Sequence, residues 1–510
     1  MEQERIVAFL ADPATHHARG PVKRVDTHGA HIFLTGNDAY KIKRAVRYPY
    51  MDFSTLERRE TACKNEIAIN RPSAPDIYLS AVPITCDGAG LHLGGSGEIV
   101  EWAVHMRRFD EDATMDKLAE RGEVTGEIVD QLAQTISDMH GRATQRSGFP
   151  IALREAIVET TGELEDAQDT AFSGKATLLR QRMLEAFERN HPLLDRRERN
   201  GKVRHCHGDL HLRNIVMHAR KPVLFDAIEF DDDLASIDIL YDLSFLIMDL
   251  CQRGFQAHAG RLLNQYIWLS DDEIAEIEGL ALLPLFMALR AAIRAKVLIS
   301  QAALDANPER RQINNYVQAA IDFLSPPSAR LVAIGGLSGT GKTLLARALC
   351  DRVGAAPGAL HLRSDIERKK LFHVPASAPL GSNAYDPAVS GQVYGKLMVL
   401  ARTSLLAGHS VVLDATFRAD EERRAAVQLA ADTAVAFSGI WLDAPSAVRM
   451  ARVRDRSGDA SDATPEVAWK QVSDQKFPSG WTTLDASGTP EATCKIAMNF
   501  LQTKSPDSAI

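Results

Sequence analysis

Two stretches of the chain hold residues whose types and spacing suit phosphate chemistry. Residues 331–343 read LVAIGGLSGTGKT, so Gly336, Gly341, Lys342 and Thr343 complete G-x-x-x-x-G-K-T, with Gly339 inside the turn. The apolar run Leu331–Ile334 precedes the turn, and Leu344, Leu345, Ala348 and Leu349 follow at helical spacing. A strand, a glycine-rich turn and a helix N-terminus form an anion cradle. The glycines turn backbone N–H groups inward, Lys342 reaches the outer phosphates of a nucleotide, and Thr343 can hold Mg²⁺. The second stretch is His207-Gly208-Asp209-Leu210-His211-Leu212-Arg213-Asn214, with Asp226 twelve residues beyond Asn214. Carboxylate, amide and imidazole groups crowd this stretch, and such side chains can serve a hydroxyl or a metal. His205, His207, Asp209 and His211 alternate in a way that also suits a metal, but the downstream Asn214 and Asp226 favour the hydroxyl-transfer reading.

The elements around these residues follow from periodicity and punctuation. His31–Leu34 and Ala39–Ala45 read as a hairpin turning at 35–38, and residues 54–70 read as a helix with Ser54 as its cap. Ile77–Ile84 and Glu98–Met106 read as strands, 126–142 as an amphipathic helix, and 236–323 as almost wholly helical. Ser325-Pro326-Pro327-Ser328 then breaks the pattern as a stiff linker. Beyond it, strand-like runs at 331–334, 359–362, 410–413, 436–442 and 482–484 alternate with helices, the pattern of a parallel sheet with crossover helices.

Composition narrows the function classes. A chain of 510 residues with 45% hydrophobic and 25% charged content is a multidomain globular protein. From residue 329 onward there are 21 basic and 18 acidic side chains, a net +3, against 38 and 49, a net −11, before it. Neither part has the basic excess of a general nucleic-acid binder. Six scattered cysteines without a C-x-x-C pair argue against a disulfide framework and suit a reducing compartment. The N-terminus has no secretory pattern, and the most apolar stretch, 279–289, is too short to span a bilayer, so a cytoplasmic location is expected.

Further residues gather around the 331–343 turn in sequence. Asp365 and Arg368 follow the strand at 359–362 as D-x-x-R, on the ligand side of an α/β sheet. Asp365 can take a hydroxyl proton, and Arg368 can hold the acceptor. The run SVVLD ends on Asp414, placed to act on Mg²⁺. Arg449, Arg452, Arg454 and Arg456 crowd one helix beside the small polar loop 457–464, where mobile arginines can neutralise a transferring phosphoryl group.

The H-G-D-x-H-x-x-N stretch with its later Asp closely resembles the aminoglycoside phosphotransferase and choline-kinase superfamily, over roughly residues 20–325. The resemblance implies a two-lobed protein-kinase-like fold, Asp209 as catalytic base, Asn214 and Asp226 as Mg²⁺ ligands, and His207 as a support for the loop. Ala39-Tyr40-Lys41 resembles the strand whose lysine meets nucleotide phosphates. Glu60 is its best-matching ion-pair partner, with Lys43 and Glu66 as the alternatives. No glycine-rich loop precedes Lys41, a departure shared by many members. Asp242 resembles a structural acid of the superfamily, and the acidic run from Glu229 to Asp233 reads as solvated loop and helix start. The second part resembles the small P-loop kinases of the gluconate-kinase, polynucleotide-kinase and zeta-toxin group, with residues 482–490 as last strand and adenine loop. Two such domains in this order resemble bacterial fusions of a phosphotransferase-like domain to a P-loop ATP-binding domain.

The expected architecture is therefore α/β and α+β. A kinase-like domain spans 1–325, a Pro/Ser linker 326–329, a doubly wound parallel P-loop sheet 330–502, and a tail 503–510. The expected function is ATP- and Mg²⁺-dependent phosphoryl transfer at two sites to hydroxyl groups of small molecules, with neither membrane nor nucleic acid as partner. A nucleotide-gated regulatory protein and a nucleic-acid 5′-end kinase are the alternatives.

Overall fold

The structure is a computed structural model that describes residues 2–17, 20–48, 51–167, 173–302, 310–455, 460–464, 469 and 480–503. It divides into two compact units, Met1–Glu159 with His191–Asp249, and Thr160–Asn190 with Leu250–Ile510. The helices between 250 and 323 thus group with the parallel sheet, although the linker at 326–329 follows them in sequence.

The first unit is built on a six-stranded antiparallel sheet. Its spatial order is Lys23–Asp26, Ala30–Thr35, Asp38–Lys43, Glu98–Arg107, Tyr78–Asp87, Gly90–Leu93. The expected hairpin forms with Thr35 opposite Asp38, and its two-residue turn needs the left-handed φ of +52° at Gly36. Helix Leu56–Asn70 is capped by the Thr55 hydroxyl rather than by Ser54. It packs through Cys63 on Ile77, Tyr78, Trp102 and Val104, in a buried cluster that holds it against the sheet. The strand period places Lys41 and Lys43 on one face of their strand, and that face is buried. Strands Val203–His205 and Ser236–Asp238 pair antiparallel, so the mostly helical stretch after 236 begins with a strand. A small hairpin, Ile215–His218 with Lys221–Leu224, presents the segments on either side of it to the site.

The second unit contains the expected parallel sheet. Its order is Leu360–Arg363, Val411–Asp414, Arg330–Gly336, Ala436–Asp443, Thr482–Asp485, and every pairing is parallel. Val332, Ile334, Val412, Ile440, Leu442 and Leu484 fill the core against helices Lys342–Cys350 and Pro490–Thr503. Strands buried on both faces require such continuous apolar runs. Helix Gln256–Leu269 meets the edge strand through Asn264, whose amide donates to the Ala359 carbonyl at 3.2 Å and accepts from the His361 N–H at 2.6 Å. All six cysteines are free thiols. Among the described residues no helix is long and apolar enough to cross a membrane.

Candidate active sites

In the first unit, side chains from four separate elements converge. Lys41 Nζ lies 2.9 Å from Glu66 Oε1 and 2.6 Å from Asp226 Oδ1. Lys43 Nζ donates to Glu66 Oε2 at 2.6 Å and to Glu229. The partner of the strand lysine is therefore Glu66, not Glu60. Glu60 lies on the solvent side of the same helix and pairs with Lys64, one turn away, at 2.6 Å. The two glutamates are six residues apart, which is about 120° of helical rotation, so only one of them can face the sheet. Glu229 is likewise buried against Lys43 rather than solvated.

The electrostatics of this cluster are those of committed charges. Burial alone would lower the Lys41 ammonium, but Asp226, Glu66 and Glu229 hold it well above the ordinary lysine value. Burial would raise Asp226 and Glu66, yet the ammonium groups keep both below the usual carboxylate range. Glu229 is pushed up by burial and by the Glu66 charge, against the pull of Lys43.

The loop 207–214 is fixed by its backbone. Asp242 is fully buried and accepts from the N–H groups of His207 at 3.2 Å and Gly208 at 2.9 Å, with His140 Nε2 at 3.1 Å. Asp249 accepts from the Leu212 N–H at 3.1 Å. The His207 ring donates to the Phe225 carbonyl at 2.9 Å, and burial lowers its pKa, which keeps it neutral. Asn214 Nδ2 donates to Asp209 Oδ2 at 2.9 Å and to the Asp209 carbonyl at 3.0 Å, which brings the expected base and the expected amide ligand side by side. Asp226 has φ of +61°, a strained position for a non-glycine residue, and its N–H donates to the Tyr78 hydroxyl at 3.0 Å. The alternating histidines do not converge on one point. Among the described residues the three-ligand group that does is His140, Cys206 and Asp242, where Asp242 already serves the loop N–H groups.

In the second unit the turn 336–341 has positive φ at Gly336, Gly339 and Gly341. A Cβ on Gly339 would lie 2.4 Å from the Arg449 carbonyl oxygen, so close backbone approach excludes any side chain there. Lys342 Nζ donates to the Leu337 carbonyl at 3.1 Å. Thr343 Oγ1 donates to Asp414 Oδ2 at 2.7 Å, which joins the two oxygen ligands expected from sequence. His361 Nε2 at 3.3 Å and Arg363 Nε at 3.5 Å also face that carboxylate. Burial would raise Asp414, but His361, Arg363 and Lys342 hold it well below the ordinary value. Neither His361 nor Arg363 carried a motif in the sequence, and a strand-end position is all that marks them.

Asp365 is the second residue of helix Ser364–Leu371, in its first turn. Arg368 is placed differently from expectation. Its guanidinium is buried, donates to the Ala384 carbonyl and lies 4.7 Å from the Tyr385 ring centre, so it braces the turn Ser382–Tyr385. Arg452 is also a brace rather than a mobile cation over phosphates. It donates to the Ala486 and Gly488 carbonyls, each at 2.7 Å, and holds the loop after the last strand. Arg449 is buried, with Nη1 3.4 Å from the Ser338 carbonyl. Arg456 and residues 457–459 lie outside the described residues.

A strand–glycine turn–helix cradle with Thr343 and Asp414 joined, and a second site with Asp209, Asn214 and Asp226 gathered near a buried lysine, define an ATP-dependent kinase. Comparison with known proteins gives the same class. The phosphotransferase enzyme family matches residues 83–280, and an AAA domain matches residues 331–477. Uncharacterized proteins of Mycobacterium tuberculosis and Mycobacterium bovis are each 30% identical over 453 residues, covering 87% of this chain and 88% of theirs. The chain belongs to the family of these mycobacterial proteins, and within it a phosphotransferase domain precedes a P-loop kinase domain. Among solved structures, a choline/ethanolamine kinase family protein from Mesorhizobium loti is similar at 15% identity, covering 64% of this chain and 95% of its own, with a TM-score of 0.39. The APS kinase of Mycobacterium tuberculosis is similar at 22% identity, covering 34% of this chain and 99% of its own, with a TM-score of 0.25. Kinases of these families use ATP with Mg²⁺.

Proposed function

We propose that the chain carries two ATP- and Mg²⁺-dependent phosphoryl-transfer sites, one within residues 1–325 and one within 330–502, each acting on a hydroxyl group of a small molecule. The observation that carries this reading is the convergence of Lys41, Asp209, Asn214 and Asp226 in a unit that does not contain the glycine-rich cradle. Lys41 and Asp226 stand 185 residues apart in sequence and meet directly. A single nucleotide site would need only one of the two constellations.

At the first site Asp209 orients the acceptor hydroxyl and takes its proton as the oxygen attacks the terminal phosphorus of ATP, whose bond to the bridging oxygen breaks and releases ADP. Asn214 holds Asp209 in place, and Lys41, steadied by Glu66, meets the nucleotide phosphates. Asn214 and Asp226 would hold Mg²⁺ here, and Thr343 and Asp414 would hold it at the second site; the all-oxygen donors suit this hard cation. When bound, Mg²⁺ neutralises charge on the phosphates. At the second site the backbone N–H groups of the glycine turn and Lys342 hold the phosphates, and Asp365 receives the hydroxyl proton. Arg368 positions the turn 382–385, and Arg452 acts on the nucleotide through the loop 486–488.

The test is a screen of hydroxyl-bearing metabolites with γ-labelled ATP, using the full chain and the variants Asp209→Asn and Lys342→Ala. Each variant should lose its own set of acceptors and keep the other. If one variant silences every acceptor, or if neither variant changes any, the two-site reading fails.

A further inference from the structure

Helix Ser364–Leu371 carries, one turn after Asp365, a lysine with an unusual setting. Lys369 is 1% exposed, and its ammonium lies 2.6 and 2.7 Å from the two carboxylate oxygens of Asp462. It also donates to the Ala378 carbonyl. The Leu380 N–H donates to Asp462 Oδ2 at 3.2 Å, and the Tyr385 hydroxyl donates to the same oxygen at 2.7 Å. Three donors from three segments therefore converge on one carboxylate: a buried ammonium, a backbone amide and a phenol. The carboxylate comes from residues 460–464, which belong to neither a helix nor a strand.

We propose that Lys369, the Leu380 N–H and the Tyr385 hydroxyl form an anion subsite for the acceptor of the second site, and that Asp462 fills it in the chain's resting state. The inference rests on the reading of that site as a kinase with Asp365 at the acceptor hydroxyl. A buried ammonium needs an anion, because leaving it unpaired costs several kcal/mol. Nothing in that requirement ties the anion to this chain. The same donors match the oxygens of a carboxylate, a sulfate or a phosphate.

Position links the subsite to the reaction. Asp365 and Lys369 are four residues apart on one helix, so they share a face with their Cβ atoms roughly 6 Å apart. The Tyr385 phenol, which Arg368 braces through its ring, donates to Asp462, and its pKa is pushed up by burial, by that hydrogen bond and by the charges of Asp462 and Asp365. An acceptor whose hydroxyl meets Asp365 can thus place an anionic group about one helical turn away, at Lys369. The acceptor class is a small hydroxylated anion, and apolar alcohols and amines are excluded. Asp462 must leave for such a molecule to bind, so acceptor binding and release of the 460–464 segment are one event.

The test uses the full chain saturated with Mg²⁺ and a non-hydrolysable ATP analogue, which occupies the glycine cradle. Sulfate, phosphate and acetate are titrated separately by calorimetry, and their ranking tells which anion the subsite favours. Asp462→Asn should bind the preferred anion at least about tenfold more tightly than wild type, since the internal competitor loses its charge. Adding Lys369→Met should abolish that gain, and adding Tyr385→Phe should remove part of it. An Asp462→Asn chain that binds no anion more tightly than wild type, or a gain that survives Lys369→Met, overturns the subsite in favour of a purely structural latch. Hydrogen exchange in the unsubstituted chain provides a measurement that needs no variant at 462. Sulfate should speed exchange of the 460–464 backbone, and an unchanged rate also overturns the proposal. The reading of the second site as a kinase is scored separately, by two analogue-binding events in the full chain and the loss of one of them in Lys342→Ala. Analogue binding without an anion gain removes the subsite alone, and absence of the Lys342-dependent event removes the kinase reading whatever the anions do.

Discussion

The two candidate sites hold their lysines in opposite ways. Lys41 stands on a strand, buried, clamped between Glu66 on a helix and Asp226 on a distant loop. Lys342 opens a helix and folds back onto a carbonyl of its own turn. One site is assembled from side chains far apart in sequence, and its acids and bases already neutralise one another. The other is a local backbone feature made possible by glycines at positive φ. An assembled site weakens when a single distant carboxylate is removed, because each buried ammonium it served keeps one partner instead of two. A local site tolerates distant change and fails when its own turn is altered.

The largest effect should come from Asp209→Asn. Transfer at the first site should fall by about two to four powers of ten while Mg·ATP binding to that site stays nearly intact, as measured by single-turnover kinetics beside calorimetry. A mutant that transfers at the wild-type rate would mean that Asp209 is not the base. Lys342→Ala should lower kcat/KM at the second site by about two to three powers of ten, with first-site kinetics unchanged. Loss at both sites would erase the contrast drawn here.

Glu66→Gln sharpens the contrast through stability. It leaves Lys41 with Asp226 alone and Lys43 with Glu229 alone and should cost about 1.5–3 kcal/mol in urea unfolding, whereas Glu60→Gln should leave the midpoint where it is. Equal effects would restore Glu60 as the partner.

The smallest effect is a pair of opposed pH dependences in the second unit. His409 is buried and its pKa is lowered from 6.5 to about 4, so between those values the unfolded chain binds the extra proton and stability rises with pH. Glu367 is raised from 4.5 to about 7 by burial and by Glu273, so the folded chain keeps the proton there and stability falls with pH. Each contributes a slope of up to about 1.4 kcal/mol per pH unit, with opposite sign. Glu367→Gln should therefore make the slope between pH 4.5 and 6.5 more positive than in wild type, and His409→Gln more negative. Chemical denaturation across that range checks both, and matching slopes in all three proteins would show that neither group is held as described. The first unit behaves differently. Asp226 and Glu66 lie below the ordinary carboxylate range, so their contribution persists until pH falls through those depressed values.

The same contrast explains how much was legible in the sequence. The glycine cradle, its flanking strand and helix, and Asp414 were readable because a turn with required φ values constrains residue types over a dozen positions. The parallel sheet was readable because doubly buried strands are continuous apolar runs. The spacing of Asp209, Asn214 and Asp226 marked them as one group, and Asn214 does lie against Asp209. Glu66 was not chosen over Glu60, although the buried stripe Ala62, Cys63, Glu66 and Asn70 marks the face turned to the sheet. Reading the helix by face instead of by distance from Lys41 would have found it. Arg368 and Arg452 were misplaced for another reason: a cationic side chain near a site can serve a carbonyl as readily as a phosphate, and sequence does not distinguish the two. Lys369 and Asp462, 93 residues apart, share no pattern that announces their meeting.

The Asn264 amide that meets the Ala359 carbonyl and the His361 N–H does for one side of the parallel sheet what a sixth strand would do. The strand Leu360–Arg363 is terminal in the sheet, so its outward peptide groups are a template for another chain. Asn264 covers part of that template from a helix encoded well before the linker. A recombinant piece beginning at residue 329 would keep the glycine turn, Lys342, Thr343 and Asp414 yet uncover this edge. Its failing would be self-association through strand pairing, and the remedy would be to begin the piece before residue 256.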